Sequence, residues 1–130
     1  MRTLLLMALV ACAAPASAQM LPSGTWTGTL DRDGVRTDVE AVIERCDTGF
    51  RVVLDMGGRT AGTETAEWAG GRLRFAIPRV RLPGTFLART LTCDLRADDS
   101  GALGGSCAND SATVRLHLRP PADGSFGCDD

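Results

Sequence analysis

The stretch TCDLRADDSGALGGSCAND, residues 92–110, places Cys93 and Cys107 symmetrically about a run of turn-forming residues. Asp, Ser and Gly at 98–101 favour a tight turn, because these residues accept the backbone conformations that turns need. If the two flanks pair as a hairpin centred on Ser100, opposed residues have numbers that sum to 200, and Cys93 faces Cys107. The stretch therefore predicts a β-hairpin with a cross-strand disulfide.

The rest of the chain also shows short runs of alternating apolar and polar residues, each closed by Gly, Asp or Pro, which is typical of an all-β protein. The predicted strands span residues 25–30, 35–45, 50–56, 63–68, 72–82, 86–97, 102–108 and 111–119, followed by a tail at 120–130. Eight strands joined by short turns favour an antiparallel up-and-down meander. Such a meander removes its exposed edges by closing into a small barrel.

Two details of the strand pattern make sharper predictions. In RLRFAIPRVRL, residues 72–82, the apolar face shifts register after Pro78, which predicts a bulge or an edge position because proline cannot donate a ladder hydrogen bond. Val35 is assigned to the inward face of the second strand and Leu87 to that of the sixth.

The first eighteen residues have the pattern of a signal peptide. An apolar run from Leu4 to Ala14 precedes Ala16-Ser17-Ala18, so the predicted mature chain is a single domain, residues 19–130. Such a short run does not reach the roughly 20 residues of a membrane span. The protein is thus expected to be exported, periplasmic or extracellular. Alternatively, Leu9-Val10-Ala11-Cys12 is similar to a lipobox, which would make the protein a membrane-anchored lipoprotein acylated at Cys12.

Four cysteines are left in the mature chain, and in an oxidising compartment an even number predicts two disulfides. Pairing of Cys93 with Cys107 leaves Cys46 for Cys128. Both lie at the end of the barrel where the first strand begins, which we call the bottom; the other end is the top. The tail to Cys128 is expected to seal the bottom beside Trp26. Zinc is the rival interpretation, but the chain has no Cys-x-x-Cys pair.

The segment Gly24-Thr25-Trp26-Thr27-Gly28 resembles the start of lipocalins and, more loosely, avidins, the calycin group. That resemblance implies that Trp26 plugs the closed end of an eight-stranded barrel. The chain also resembles small exported bacterial β-domains, found alone or beside hydrolases, that begin G-x-W-x-G-x-L and mostly have no assigned activity. The matching residues are Trp26, Gly28, Leu30, Gly71, Leu73, Phe75, Leu103 and Gly105. Cys93 and Cys107 depart from that pattern, which usually has an aromatic residue in the last hairpin.

The sequence offers little for catalysis or cofactor binding. His117 is the single histidine and falls on the outward face of the last strand, where a solvated side chain explains it. Two pairs of carboxylates could in principle serve as the acid and base of a glycosidase. Asp98-Asp99 is better explained as part of a turn, and Asp129-Asp130 as the end of the chain. Asp31-Arg32-Asp33-Gly34 fits a hairpin turn better than a calcium loop, since position 42 is valine where the bidentate glutamate is required. We therefore predict no enzyme activity, cofactor or metal.

The charged residues are more informative. All fourteen basic residues are arginine, against sixteen acids, and this balance argues against a nucleic-acid binder. Five arginines lie on the predicted fifth and sixth strands. Their guanidinium groups could bind a carboxylate or phosphate of a ligand. Alternatively, they form a solvated outer face whose charge is balanced by Glu64, Glu67 and Asp94. The five are Arg72, Arg74, Arg79, Arg81 and Arg89. Arg59, Arg79 and Arg81 are predicted to form a positive ligand rim at the top.

These observations predict a non-catalytic exported binding protein, lipocalin-like in architecture. Its partner is expected to be a small anionic or apolar ligand at the top, or another exported protein along the surface; a barrel this small has room for at most one small ligand. The alternative is an inhibitor or accessory protein of an exported hydrolase. A structural role in the cell envelope gains weight if Cys12 is lipidated.

Overall fold

The computed structural model describes residues 21–46 and 49–122, which form eight antiparallel strands. The strands are β1 (Gly24–Arg32), β2 (Val35–Cys46), β3 (Gly49–Met56), β4 (Arg59–Ala69), β5 (Arg72–Val80), β6 (Arg89–Ala97), β7 (Leu103–Ala108) and β8 (Thr113–Arg119). Each strand pairs with its neighbours in sequence, and β1 also pairs with β8. The predicted all-β fold, an eight-stranded meander closed as a barrel, is confirmed.

The core fills the inside of the barrel with side chains from all eight strands. Inward and outward positions alternate along each strand, so that β8, for example, buries Val114, Leu116 and Leu118 and exposes the residues between them. The inward side chains form one hydrophobic cluster that includes the fully buried Trp26. The wall positions between them are therefore the ones that carry charge.

The bulge predicted at Pro78 is present. The register between β5 and β6 shifts between Ile77 and Val80. Because Pro78 and Arg79 both face outward, Val80 returns to the interior, where it is 1% exposed. Arg79 reaches this geometry with φ 64°, a left-handed conformation that is unusual for a residue with a side chain.

Closure of the barrel depends on a close approach of β1 and β8 at Gly28, which lies opposite Leu118. A Cβ atom on Gly28 would lie 1.7 Å from the carbonyl oxygen of His117. No side chain fits in that space, so glycine at this position lets the first and last strands meet.

The β6–β7 hairpin has the predicted register. Cys93 lies opposite Cys107, and the two form a disulfide with a Cα–Cα distance of 4.0 Å. The turn is held by Asp98, whose Oδ1 accepts hydrogen bonds from the Ser100 and Ala102 backbone N–H groups at 2.9 and 3.1 Å. The symmetry of the sequence about Ser100 thus reflects the register of a hairpin whose strands are joined by a disulfide.

The described residues contain this one disulfide rather than the two predicted. Cys128 and the tail lie outside the described residues, and so do the signal sequence and Cys12; the Cys46–Cys128 pairing and the seal at the bottom stay predictions. No helix among the described residues has the length and apolar character needed to cross a membrane.

Two side chains assigned to the interior lie outside it. Val35 is 66% exposed and Leu87 is 61% exposed. The reason for Leu87 is that β6 begins at Arg89 rather than at residue 86. Residues 81–88 form a separate connection at the top, and alternation with the later strand does not apply to them. Val35 follows directly on the β1–β2 turn, where the barrel wall ends.

Candidate functional site

The top of the barrel carries a cleft lined by three arginines, Arg59, Arg79 and Arg81. It has a volume of about 480 Å³, is open to solvent, and is also lined by Phe86 and Met56. We call it the arginine cleft. The structure thus brings the three residues of the predicted ligand rim to one place, although their role in binding a ligand stays a prediction.

Each arginine reaches the cleft from a different structural feature. Arg59 begins β4 directly after the Gly57–Gly58 turn, in which the Gly58 N–H donates to Asp55 Oδ1 at 3.1 Å. Arg79 is turned outward by the bulge in β5, and Arg81 follows the end of that strand. A turn, a bulge and a strand end converge because the β3–β4 and β5–β6 connections lie at the same end of a meander.

The arginine cleft is positive. None of its three arginines forms an ion pair with a carboxylate of the described chain, where the ion pairs are those of Arg36, Arg51, Arg72 and Arg89. No aspartate or glutamate lines the cleft. Three guanidinium groups that keep their donors free for a ligand form a suitable site for phosphate or carboxylate, which they bind with paired hydrogen bonds.

A second depression extends the arginine cleft across the top. It has a volume of about 260 Å³ and shares Met56, Arg59 and Arg81 with the first. Its far wall is formed by the β5–β6 connection, from Leu82 to Thr85. Apolar side chains and the backbone of the β5–β6 connection therefore line the two depressions together with the arginines.

The β5–β6 connection is fixed at several points. Arg32 Nη1 donates a hydrogen bond of 3.0 Å to the carbonyl oxygen of Pro83. The backbone N–H and the hydroxyl of Thr85 both donate to the carbonyl oxygen of Leu82, at 3.0 and 2.7 Å. Leu82 itself is buried. The connection is therefore an ordered turn that presents Phe86, 91% exposed, above the cleft.

The other arginines of the predicted group of five behave as a balanced outer face. Arg72 forms an ion pair with Asp94, and Arg74 lies opposite the same carboxylate on β6. The hydrogen bond from Arg72 lowers the pKa of Asp94, and that pairing raises the pKa of Arg72. Arg89 pairs with Asp110 at 2.9 Å. Of the five, Arg79 and Arg81 alone line the cleft.

The other residues considered in the sequence analysis lie in surroundings that a structural role explains. His117 is exposed on the outer face of β8. Asp31 Oδ1 accepts a hydrogen bond from the Gly34 N–H at 3.0 Å, as expected of a hairpin turn. Trp26 is fully buried, and its Nε1 donates to the carbonyl oxygen of Pro22 at 3.1 Å near the bottom. This position suits a plug, a role that stays a prediction.

A third depression lies on the barrel wall and is acidic. It is lined by Asp38, Glu40 and Asp55 together with Arg119, and Glu40 lies directly opposite Asp55 in the β2–β3 pair. Within the described ranges, no three His, Cys, Asp or Glu side chains are arranged to hold a metal ion. The arginine cleft, whose lining holds three arginines and no acid, is the stronger candidate site.

Sequence reasoning missed Phe86 as part of this site. Its signal was present, since Pro83-Gly84 marks a turn and the alternation of β5 ends before it. Residue 86 follows that turn, whereas the next clear alternation begins at Leu91.

The chain was compared with protein families, curated proteins and solved structures. No protein-family model, no curated protein and no solved structure matches this chain.

Proposed function

We propose that this protein is a non-catalytic exported binding protein that holds a small anion with an apolar part in the arginine cleft. The observation that carries the proposal is the convergence of Arg59, Arg79 and Arg81, none of them in an ion pair within the described chain, beside the exposed ring of Phe86. The guanidinium groups would bind the charged group, and Phe86 with Met56 would contact the apolar part.

The barrel interior supports placing the ligand at the top rather than inside. Its inward positions are occupied by large side chains such as Leu54, Ile77 and Leu116, which form part of one cluster. An eight-stranded barrel filled in this way leaves its surface clefts as the places where a ligand meets the protein.

Isothermal titration with octyl phosphate, octanoate and inorganic phosphate tests this proposal. We expect octyl phosphate to bind most tightly, and Arg79→Gln with Arg81→Gln to weaken it by about 100-fold or more, because hydrogen bonds to charged groups contribute about 1.5–3 kcal/mol each. Arg74→Gln is the matched control, an exposed arginine on the same strand outside the cleft. Failure of every anion to bind, or equal loss in the control, contradicts the proposal.

The second candidate function is inhibition of an exported hydrolase. The observation that favours it is the fixed β5–β6 connection with Phe86 at its tip, because an ordered loop loses little conformational entropy when it binds an enzyme. We expect Phe86→Ala to abolish inhibition in assays against chymotrypsin-type and subtilisin-type proteases. Undiminished protease activity with excess protein contradicts this candidate.

Export and the second disulfide are part of the same proposal. They are supported by the Ala16-Ser17-Ala18 pattern and by the buried Cys93–Cys107 bond. The intact mass of the mature protein, with and without reduction and alkylation, reports cleavage after Ala18, acylation of Cys12 and the number of disulfides. We expect cleavage, no acyl group and two disulfides, with Cys46 linked to Cys128.

A further inference from the structure

Large apolar side chains are exposed at one end of the barrel. Among the described residues they are Val35, Phe86 and Leu87, with exposed fractions of 66%, 91% and 61%. Val35 follows the β1–β2 turn, and the other two lie in the β5–β6 connection, so all three are at the top. Exposed apolar groups collected in one place indicate a surface that meets an apolar partner.

The arginine cleft lies at the same end, and Phe86 belongs to both features. Carboxylates also lie at this end: Asp110 pairs with Arg89 and Asp31 with Arg36, whereas Asp33 and Asp55 keep their charge, but none of the four lines the arginine cleft. The chain as a whole has a net charge of −2, and the positive charge at the top is therefore local. Apolar side chains next to arginines match the water–membrane interface of a bilayer whose lipids carry phosphate groups.

The connection that carries Phe86 and Leu87 is ordered before any contact is made. Arg32 holds it to the β1–β2 hairpin through Pro83, and Leu82 anchors it in the core. The two exposed side chains therefore project from a fixed turn, and little backbone entropy is lost when they enter another phase.

We propose that the top of the barrel docks on an anionic phospholipid bilayer. Phe86, Leu87 and Val35 enter the interfacial region, while the arginines of the cleft bind lipid phosphates. This inference rests on the proposed function, since it takes the anion with an apolar part to be a phospholipid in a membrane.

Sedimentation with vesicles tests the docking. We expect the protein to bind vesicles of phosphatidylcholine mixed with phosphatidylglycerol, to bind phosphatidylcholine alone poorly, and to be released by high salt. Arg79→Gln with Arg81→Gln should lower the partition coefficient by about 25-fold, which is about fivefold for each arginine. Phe86→Ser with Leu87→Ser should lower it by at least about tenfold.

The matched control replaces two wall arginines, Arg74→Gln with Arg96→Gln, which removes the same charge from exposed positions away from the top. We expect it to keep the wild-type partition coefficient within about twofold, because the membrane's field is screened within a Debye length. Thermal unfolding of each variant shows that it is folded. A loss as large in the control as in the cleft variant overturns the inference, since binding would then follow net charge alone.

A second readout reports contact directly. Phe86→Trp introduces an indole that suits the membrane interface, and we expect its emission to shift to the blue on mixed vesicles and to be quenched by lipids labelled in the upper acyl chain. Thr92→Trp on the wall of β6 is the control and should do neither. An unquenched indole at position 86 overturns the insertion.

Soluble lipids separate this inference from the proposed function. If dihexanoyl phosphatidylglycerol or octyl phosphate binds through Arg79 and Arg81 but vesicles do not, the cleft is an anion site and the membrane inference is wrong. If neither soluble lipids nor vesicles bind, both proposals fail. Inhibition of a protease through Phe86 without vesicle binding likewise overturns docking on a membrane.

Discussion

Arg79 combines backbone strain with a position in the candidate site. Its left-handed conformation, φ 64°, costs about 1–2 kcal/mol for a residue with a Cβ atom. The bulge that requires this conformation returns Val80 to the core and turns the Arg79 side chain outward to the cleft. A strained residue that lines a cleft of unpaired arginines is the pattern expected where function opposes stability.

Arg79→Gly should therefore leave the protein at least as stable as the wild type, with a gain of up to about 1 kcal/mol, because glycine adopts left-handed conformations without a penalty. Anion binding should weaken in the same variant. Arg81→Gly is the control: Arg81 has no positive φ, so glycine there should destabilise by about 0.5–1 kcal/mol. Urea unfolding measures both. A clear destabilisation by Arg79→Gly would contradict the strain argument.

Protonation of Asp94 at low pH is expected to lower the stability of the outer wall of the barrel. The hydrogen bond from Arg72 lowers its pKa, and the charges of Arg72, Arg74 and Arg96 act in the same direction, against a smaller opposing effect of burial. The folded state therefore releases the proton of Asp94 more readily than the unfolded state does. The stabilisation is complete above the ordinary aspartate pKa of about 3.9 and is lost as the pH falls through the lowered value.

Asp94→Asn should flatten the acid limb of the stability profile, because the variant has no carboxylate to protonate at this position. Arg72→Gln should flatten it as well, since it removes the group that lowers the pKa of Asp94. Urea midpoints measured between about pH 2 and pH 6 show the effect. An unchanged slope in both variants would mean that the ion pair does not contribute.

At the scale of the element, the β6–β7 hairpin is held at its turn and along its length. Asp98 accepts hydrogen bonds from the turn, and the bond to Ser100 lowers the pKa of Asp98. Seven residues from Ser100 on each side, the Cys93–Cys107 bond joins the two strands inside the barrel, where both residues are 1% exposed. The turn and the disulfide specify the same register.

Reduction of the Cys93–Cys107 bond, or Cys93→Ala with Cys107→Ala, should lower the free energy of unfolding by about 3 kcal/mol, the value for a closed loop of this length. The strands should stay paired, because the turn hydrogen bonds do not involve the cysteines. Urea unfolding of the oxidised wild type and of the double alanine variant gives the difference, because reductant would also break the proposed Cys46–Cys128 bond, and circular dichroism reports the sheet. Equal stabilities of the two forms would contradict this prediction.

At the scale of the whole molecule, closure joins the two ends of the meander. Thr27 to Asp31 of β1 pair with residues 115–119 of β8, and the pairing passes through Gly28. The same closure arranges four connections at the top, where the arginine cleft and the exposed apolar side chains lie together. The candidate site is thus a product of closure and of no single hairpin.

Gly28→Ala should destabilise the protein by about 3 kcal/mol, because its Cβ would overlap the His117 carbonyl oxygen and the seam must open. Gly104→Ala is the matched control, since a Cβ there meets only His117 Cδ2 at 3.6 Å, an ordinary contact. Thermal unfolding distinguishes them, and hydrogen exchange of β1 and β8 amides localises the loss. A similar cost in the two variants would contradict the seam argument.

Local sequence determined the strands and the pairing within hairpins. The faces of β5 and β8, the bulge at Pro78 and the register of Cys93 with Cys107 all follow from neighbouring residues, because side-chain alternation and turn chemistry act over a few positions. The same reasoning placed Arg59, Arg79 and Arg81 at one end, since antiparallel connections alternate between the ends of a barrel. It failed for Leu87, because the alternation of β6 was extended to residues before Arg89, and for Val35, because the first residue of β2 lies at the rim of the barrel and stays open to solvent.

Tertiary structure alone decided which charges are available and which apolar side chains are exposed. Arg89 is neutralised by Asp110, twenty-one residues away, whereas Arg79 and Arg81 meet no carboxylate of the described chain. Pro83 is held by Arg32 across fifty-one residues, which fixes Phe86 in solvent above the cleft. These outcomes depend on contacts between residues far apart in sequence. Such contacts form only when the barrel closes, and local sequence patterns do not specify them.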